Sequence, residues 1–235
     1  MINWIDELSH LGIELSSEIQ QQFDRYLELL IEWNGRMNLT AVREPEAIQL
    51  RHFYDSLTCM QVTKDLNDCS LIDVGTGAGF PGLPLKILFP DLNLTLVESV
   101  AKKTQFLEAV VSALSLEGVK IFSERAEQLG QDGRFREKYD WAVGRGVAEM
   151  RVLAELLLPF CCVGGKMLAQ KGENAPTEAA AAQNAIQLLG GSTPEFYKVQ
   201  VPEKETPHYL VIIEKQKPTP KKYPRRVGMP AKRPL

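Results

Sequence analysis

Two rhythms of apolar and polar positions run along the chain. Over residues 17–33, SEIQQQFDRYLELLIEW, the apolar Ile19, Phe23, Leu27 and Leu30 recur at helical spacing, and Ser17 with Gln20 fits a capping box. A second helical pattern covers PEAIQLRHFYDSLTCM, where Ala47, Leu50, Tyr54 and Leu57 share a face and Pro45 suits the first turn. Residues 1–65 therefore read as a helical extension, with NGRMNLTAV as its linker.

From Cys69 the period shortens. SLIDV, LNLTLVE, VKIF, YDWAVG and KMLAQK read as strands, with GLPLKILF, KKTQFLEAVVSAL and MRVLAELLLPF between them as helices. Such alternation predicts a parallel sheet covered on both faces. One Ala-rich helix follows, APTEAAAAQNAIQLLG, closed by Gly190; then come two strands in succession, EFYKVQV and YLVIIEK, which PEKETP lets pair antiparallel. The expected fold is α/β: a seven-stranded sheet with its last strand antiparallel, the order of a class I methyltransferase (Rossmann-like) domain over residues 66–215. Residues 216–235 form a tail in which Pro218, Pro220, Pro224, Pro230 and Pro234 exclude regular helix or strand, so it should lie extended beside the domain.

The first strand runs into LIDVGTGAGFPGLPLKI, where two ligand readings compete. Gly77-Ala-Gly79-Phe-Pro-Gly82 is a literal GxGxxG, the dinucleotide fingerprint. A dinucleotide loop starts directly after the strand, at Gly75, and its third glycine would be residue 80, which is Phe80. The literal match also puts Pro81 and Pro84 where a helix N-terminus should offer free amides to a pyrophosphate. S-adenosylmethionine carries no phosphate and is cationic, so Asp73 before the glycines suits it, and Glu98 at the end of LTLVE suits its ribose hydroxyls. The ribose acid alone does not discriminate, and a loop that binds nothing stays open.

Composition narrows the class. Across 235 residues, 44% hydrophobic and 24% charged content is that of a soluble globular protein, and no apolar run approaches a membrane span. MINWIDELSHLGIEL lacks the basic-then-apolar order of a signal peptide, so a cytoplasmic location is expected. Cys59, Cys69, Cys161 and Cys162 form no CxxC pair, and His10, His52 and His208 are scattered, which suggests neither a disulfide framework nor a metal site. The net charge of −3 hides an asymmetry: eight of the 27 basic residues and none of the 30 acidic ones lie from Lys215 onward, leaving the body at −11. A basic end on an acidic body is the footprint of a polyanion contact, or else a solvated tail.

WNGRMNLTAV, RHFYDSL, DVGTGAGFPGLPLKI, VESVAKKTQFL, RAE, LVIIEK and TPKKYPRRVGMPAKRPL together give the chain an almost end-to-end resemblance to the ribosomal RNA small subunit methyltransferase G family, also called glucose-inhibited division protein B. The resemblance implies transfer of a methyl group from S-adenosylmethionine, leaving S-adenosylhomocysteine, to N7 of one guanine in the 530 loop (helix 18) of 16S rRNA. It implies cofactor contacts at Gly75, Phe80, Glu98, Ser99, Val100, Ala126, Glu127 and Arg145, to which the residue reading adds Asp73, Gly77 and Gly79.

Guanine N7 has a lone pair and no proton, so no general base is expected and catalysis rests on positioning. The chain accordingly has no NPPY or DPPY for an amino group and no Pro-Cys nucleophile. Arg145 and Asp55 are the candidates near the acceptor, Asp55 because the methylated base becomes cationic. Each has a plainer role open to it: Asp73 as a loop cap, Phe80 as core, Arg145 paired with Asp140 or a helix carboxylate, His52 as a structural histidine. Asn34, Asn38 and Arg51 belong to the motifs expected at an RNA-facing entrance. In the tail Lys221, Lys222, Arg225 and Arg226 surround Tyr223, a base-stacking candidate, with Lys232 and Arg233 beyond. The partner implied is 16S rRNA or the small ribosomal subunit, bound by a monomer that contacts no membrane.

Overall fold

The computed structural model describes residues 3–235. The apolar runs form β1 (Ser70–Val74), β2 (Asn93–Val97), β3 (Val119–Phe122), β4 (Tyr139–Arg145), β5 (Cys161–Lys171), β6 (Glu195–Val199) and β7 (His208–Glu214) in one sheet ordered β3-β2-β1-β4-β5-β7-β6. The first five strands pair parallel, while β7 pairs antiparallel with both β5 and β6. Strand order reverses between β1 and β4, and at such a switch point a crevice opens beyond the carboxyl ends.

Helices α1 (Trp4–Glu7), α2 (Ser17–Asn34), α3 (Pro45–Ile48), α4 (Asp55–Leu57) and α5 (Met60–Thr63) precede the sheet. Between strands lie α6 (Gly82–Leu88), α7 (Ala101–Ala113), α8 (Ala126–Leu129), α9 (Met150–Leu157), α10 (Ala175–Ala181) and α11 (Gln183–Leu188), and α12 (Met229–Lys232) belongs to the tail. Phe23, Tyr26, Phe53 and Phe106 fill the core between the N-terminal helices and one sheet face, each contributing about 2 kcal/mol of burial. Leu153, Leu157, Phe160 and Ile186 fill the other face.

Four local expectations are corrected. The cap of α2 is Ser16, whose extended backbone lets its hydroxyl reach the Ile19 amide at 3.3 Å; Gln20 turns back to the Leu15 carbonyl instead of closing a box with Ser17. The second helix is not uniform: Gln49–Tyr54 is π-helical, which brings Ile48 and Phe53 into the core and leaves Ala47 half-buried. The Ala-rich helix is two helices, broken where the Ala182 amide is shared between the Glu178 and Ala179 carbonyls. The tail contains a regular turn, α12, because Gly228 at φ 76° starts it and Pro230 fits its first turn.

Candidate active site at the carboxyl edge of the sheet

Strand β1 delivers Asp73 to the carboxyl edge, and the chain then turns through Gly75, Gly77 and Gly79 at φ 69°, 62° and 99°. At Gly75 a side chain would also stand 2.8 Å from Val147 Cγ2, and at Gly79 2.4 Å from Leu83 Cδ1, so two of the glycines answer close packing as well as the turn. The Gly75 and Thr76 amides donate to the Val97 carbonyl at 2.8 and 3.2 Å, which ties the loop to the end of β2. There the buried Glu98 accepts from the Gly77 amide at 3.1 Å and the Val100 amide at 2.9 Å, so its carboxylate is held at the cleft rim by the loop it faces.

Asp73 is fully buried. Its Oδ2 accepts from the Thr76 hydroxyl at 2.7 Å and the Gly82 amide at 2.8 Å, while its Oδ1 has no partner. Burial pushes the carboxyl up to about 6 against those two bonds and the Arg145 charge. Asp73 thus caps the loop, the plainer of its two roles, and its Oδ1 stays unpartnered. The Gly82 amide that opens α6 is already taken, which removes the anion cradle a pyrophosphate would need.

A cleft of about 330 Å³ opens beside this loop, and Gly75, Glu98, Ser99, Ala126 and Glu127 all line it. Asp73, Gly77, Gly79, Phe80, Val100 and Arg145 are not in its wall; Gly77 and Val100 hold Glu98 through their amides. The wall also includes Val147, Ala148, Val152 and Leu156, together with Val227, Gly228, Pro230 and Ala231 of the tail. The tail's part was missed in the sequence, although the apolar VGMPA interrupting the cations was a signal.

The tail is fastened by its polar groups. Lys215, fully buried, donates to the Leu158 carbonyl at 2.5 Å and the Thr219 hydroxyl at 2.6 Å, and burial lowers its pKa. Arg136 donates to the carbonyls of Gly130, Thr219 and Tyr223 at 2.9, 2.6 and 2.6 Å. Arg225 forks onto the fully buried Glu155 at 2.6 Å, and the Gly228 amide donates to Glu127 at 2.9 Å. Two expectations are therefore corrected: Tyr223 is buried beneath Lys222, so its ring is closed to a base, and Arg225 is committed to Glu155. Lys221, Lys222, Arg226, Lys232 and Arg233 stay exposed.

A second group gathers beyond β4. Arg145 Nη1 lies 3.0 Å from Asp55 Oδ2, and its guanidinium stands 4.9 Å from the Phe80 ring centroid. Its carboxylate partner is the helical one, whereas Asp140 bonds Ser70. Phe80 is stacked between His52 at 4.7 Å and Tyr26 at 5.6 Å, and Tyr26 donates its hydroxyl to the Ala78 carbonyl of the glycine loop. Burial and the Arg145 charge lower the His52 pKa to about 4, so the ring is neutral at pH 7. Burial opposes the charge on Asp55, but His208 and Arg145 hold the carboxyl below its ordinary range. Asn34 caps the linker by accepting from the Leu39 and Thr40 amides at 2.9 and 3.0 Å. Gln170, unmarked in the sequence, donates to the Asp55 carbonyl at 2.7 Å.

Comparison with known proteins decides the family. The profile of rRNA small subunit methyltransferase G matches residues 19–206. The chain belongs to that family. The ribosomal RNA small subunit methyltransferase G of Streptococcus pneumoniae (strain R6) is 44% identical over 229 residues, 97% of this chain and 96% of that one. The enzyme of the same name from Alkaliphilus metalliredigens is 46% identical over 230 residues, 98% and 96% of the two chains. Among solved structures, a Thermotoga maritima SAM-dependent O-methyltransferase superposes with a TM-score of 0.54 at 15% identity, over 81% of this chain and 72% of that one. The Geobacter metallireducens precorrin-6y C5,15-methyltransferase gives 0.51 at 14%, over 77% and 92%. At such identities these two show the fold alone, and it is the class I methyltransferase fold. Among the described residues of this methyltransferase G family member, no helix is long and apolar enough to cross a membrane, and no three His, Cys, Asp or Glu side chains cluster as metal ligands.

Proposed function

We propose that this chain transfers a methyl group from S-adenosylmethionine to N7 of a guanine in the 530 loop (helix 18) of 16S rRNA. The observation that carries the donor half is the cleft itself: Glu98 is fixed at its rim, and Asp73 keeps an unpartnered carboxylate oxygen behind the loop. The cofactor fits these residues, with Glu98 placed for ribose hydroxyls, Ala126 and Glu127 beside the adenine, and Asp73 supplying a charge opposite to the ligand's. When bound it supplies an electrophilic methyl on a sulfonium.

The chain's own residues then have to place the acceptor and keep it neutral until attack. N7 offers a lone pair without losing a proton, so the reaction asks for no base; His52 is pushed down to about 4 and Asp55 is held ionised. Arg145 and Asp55 lie at the end of β4, where the acceptor meets the donor, and the Asp55 carboxylate offsets the positive charge that methylation creates on the purine. His52 and Asp55 of the N-terminal helices stand on the acceptor side, the sheet domain holds the cofactor, and residues 227–231 close the cleft while the tail presents Lys221, Lys222, Arg226, Lys232 and Arg233 to phosphates. The test is incubation with labelled S-adenosylmethionine and undermethylated small subunits, followed by mapping of the modified nucleotide. Label at guanine N7 is expected; label elsewhere, or none, overturns the assignment.

A further inference from the structure

Among the described residues three buried side-chain oxygens have no hydrogen-bond partner: Asp73 Oδ1, Asp55 Oδ1 and Gln170 Oε1. Leaving such a group unfilled is costly, so each one calls for an explanation. The first faces the cofactor question already treated. The other two belong together, and the donor cleft does not use them.

Gln170 and Arg145 are register partners on β5 and β4, so their side chains leave the same face of the sheet at its carboxyl edge. Between them they hold Asp55: Arg145 takes Oδ2 at 3.0 Å, and Gln170 Nε2 takes the backbone carbonyl at 2.7 Å. That second bond also fixes the Gln170 amide, because the nitrogen must face the carbonyl and Oε1 must face away. Asp55 Oδ1 faces His208 Nδ1 at 3.4 Å, within ion-pair range but without a hydrogen bond. The backbone of Gln170 and Thr206 from the β6–β7 hairpin border one crevice with Gly146, directly past the strand end that carries Arg145. Two unfilled acceptors on residues bonded to each other, with Arg145 on Asp55 Oδ2 and Lys204 nearby, suit a ligand that brings two N–H donors and an acceptor beside them.

Guanine carries that pattern on one edge, with N1–H and N2–H as donors and O6 as acceptor, whereas adenine presents an acceptor at N1. Resting on the methyltransferase reading above, we propose that Asp55 and Gln170 are the residues that select guanine, accepting its N1–H and N2–H while N7 on the opposite edge of the purine stays free for the methyl group. Both oxygens are buried, and His208 at the start of β7 stands against Asp55, so the β6–β7 connection and the start of β7 have to shift for the base to seat.

The test replaces the target guanosine by inosine, which keeps N1–H, O6 and N7 and lacks only the 2-amino group. Small subunits are reconstituted with either nucleoside at the position mapped for wild-type enzyme, and kcat/KM is compared for wild type and Gln170→Met. Wild type is expected to favour guanosine by about tenfold or more. In Gln170→Met, or in Gln170→Leu as the second variant, the ratio is expected to fall to within about twofold because guanosine slows and inosine does not. Calorimetric binding of S-adenosylhomocysteine shows whether each variant has kept its donor site. Equal use of guanosine and inosine by wild type, or a guanosine preference that survives in both variants with the donor site intact, overturns the selection proposal. Absence of N7 methylation on any guanosine substrate sinks the methyltransferase reading instead, so the two failures are distinct.

Discussion

Asp73 carries a carboxylate whose usefulness and cost come from one fact, its complete burial. In the unfolded chain an aspartate titrates near 3.9, and in the native state this one titrates at about 6, so the native protein binds the proton more tightly. Stability from this group is therefore greatest below about pH 4, falls as pH rises through 6, and is depressed by about 3 kcal/mol above that. Asp73→Asn keeps an oxygen for Thr76 and Gly82 while removing the charge. It is expected to raise Tm by several degrees at pH 7.5, to give no gain near pH 4, and to weaken S-adenosylmethionine binding at least about tenfold, as read by calorimetry. A cationic ligand beside Asp73 also draws off its proton, so binding at pH 6 should release a fraction of a proton; calorimetry in two buffers of different ionisation heat measures it. Arg145 favours and Glu98 opposes the ionised form.

Helix α2 shows how an element outside the sheet shapes the loop. Tyr26, fully buried on α2, donates to the Ala78 carbonyl and stacks on Phe80, so the helix reaches across to fix the glycine turn. Tyr26→Phe leaves that carbonyl unpaired and is expected to cost about 1–3 kcal/mol, with a lower Tm and weaker cofactor binding in the same sample. A drop in Tm with unchanged affinity would mean that the loop holds its shape without Tyr26. Most elements were legible because apolar spacing reports burial directly: SLIDV, LNLTLVE and YDWAVG became β1, β2 and β4 within a residue or two. The π-helical Gln49–Tyr54 was not, since its spacing depends on what Phe53 and His52 pack against, namely Trp4, Phe23 and Phe80. Within the site, glycines, Glu98 and Ala126-Glu127 announced themselves by motif, whereas Gln170 became visible only through the carbonyl it bonds across the fold.

At the scale of the molecule the tail is part of the body. Val227, Gly228, Pro230 and Ala231 line the cleft, so deleting residues 216–235 should abolish cofactor binding as well as remove the tail's cations. Arg225→Ala strands the buried Glu155 carboxylate and is expected to destabilise by about 3–5 kcal/mol, measured by denaturant unfolding. The RNA role is tested where the cations are free: Lys221→Glu with Lys222→Glu should leave calorimetric cofactor binding unchanged and flatten the salt dependence of subunit binding by about two in log–log slope. An unchanged slope would move the phosphate contacts elsewhere. The position of the cleft wall has one more consequence. Residues 227–231 are synthesised after all seven strands, so a nascent chain folding from its N-terminal side has its sheet and glycine loop in place before its donor pocket has a fourth side. A released chain that ends before this point would lack that wall, and methyl-donor binding would begin only once the last turn has docked.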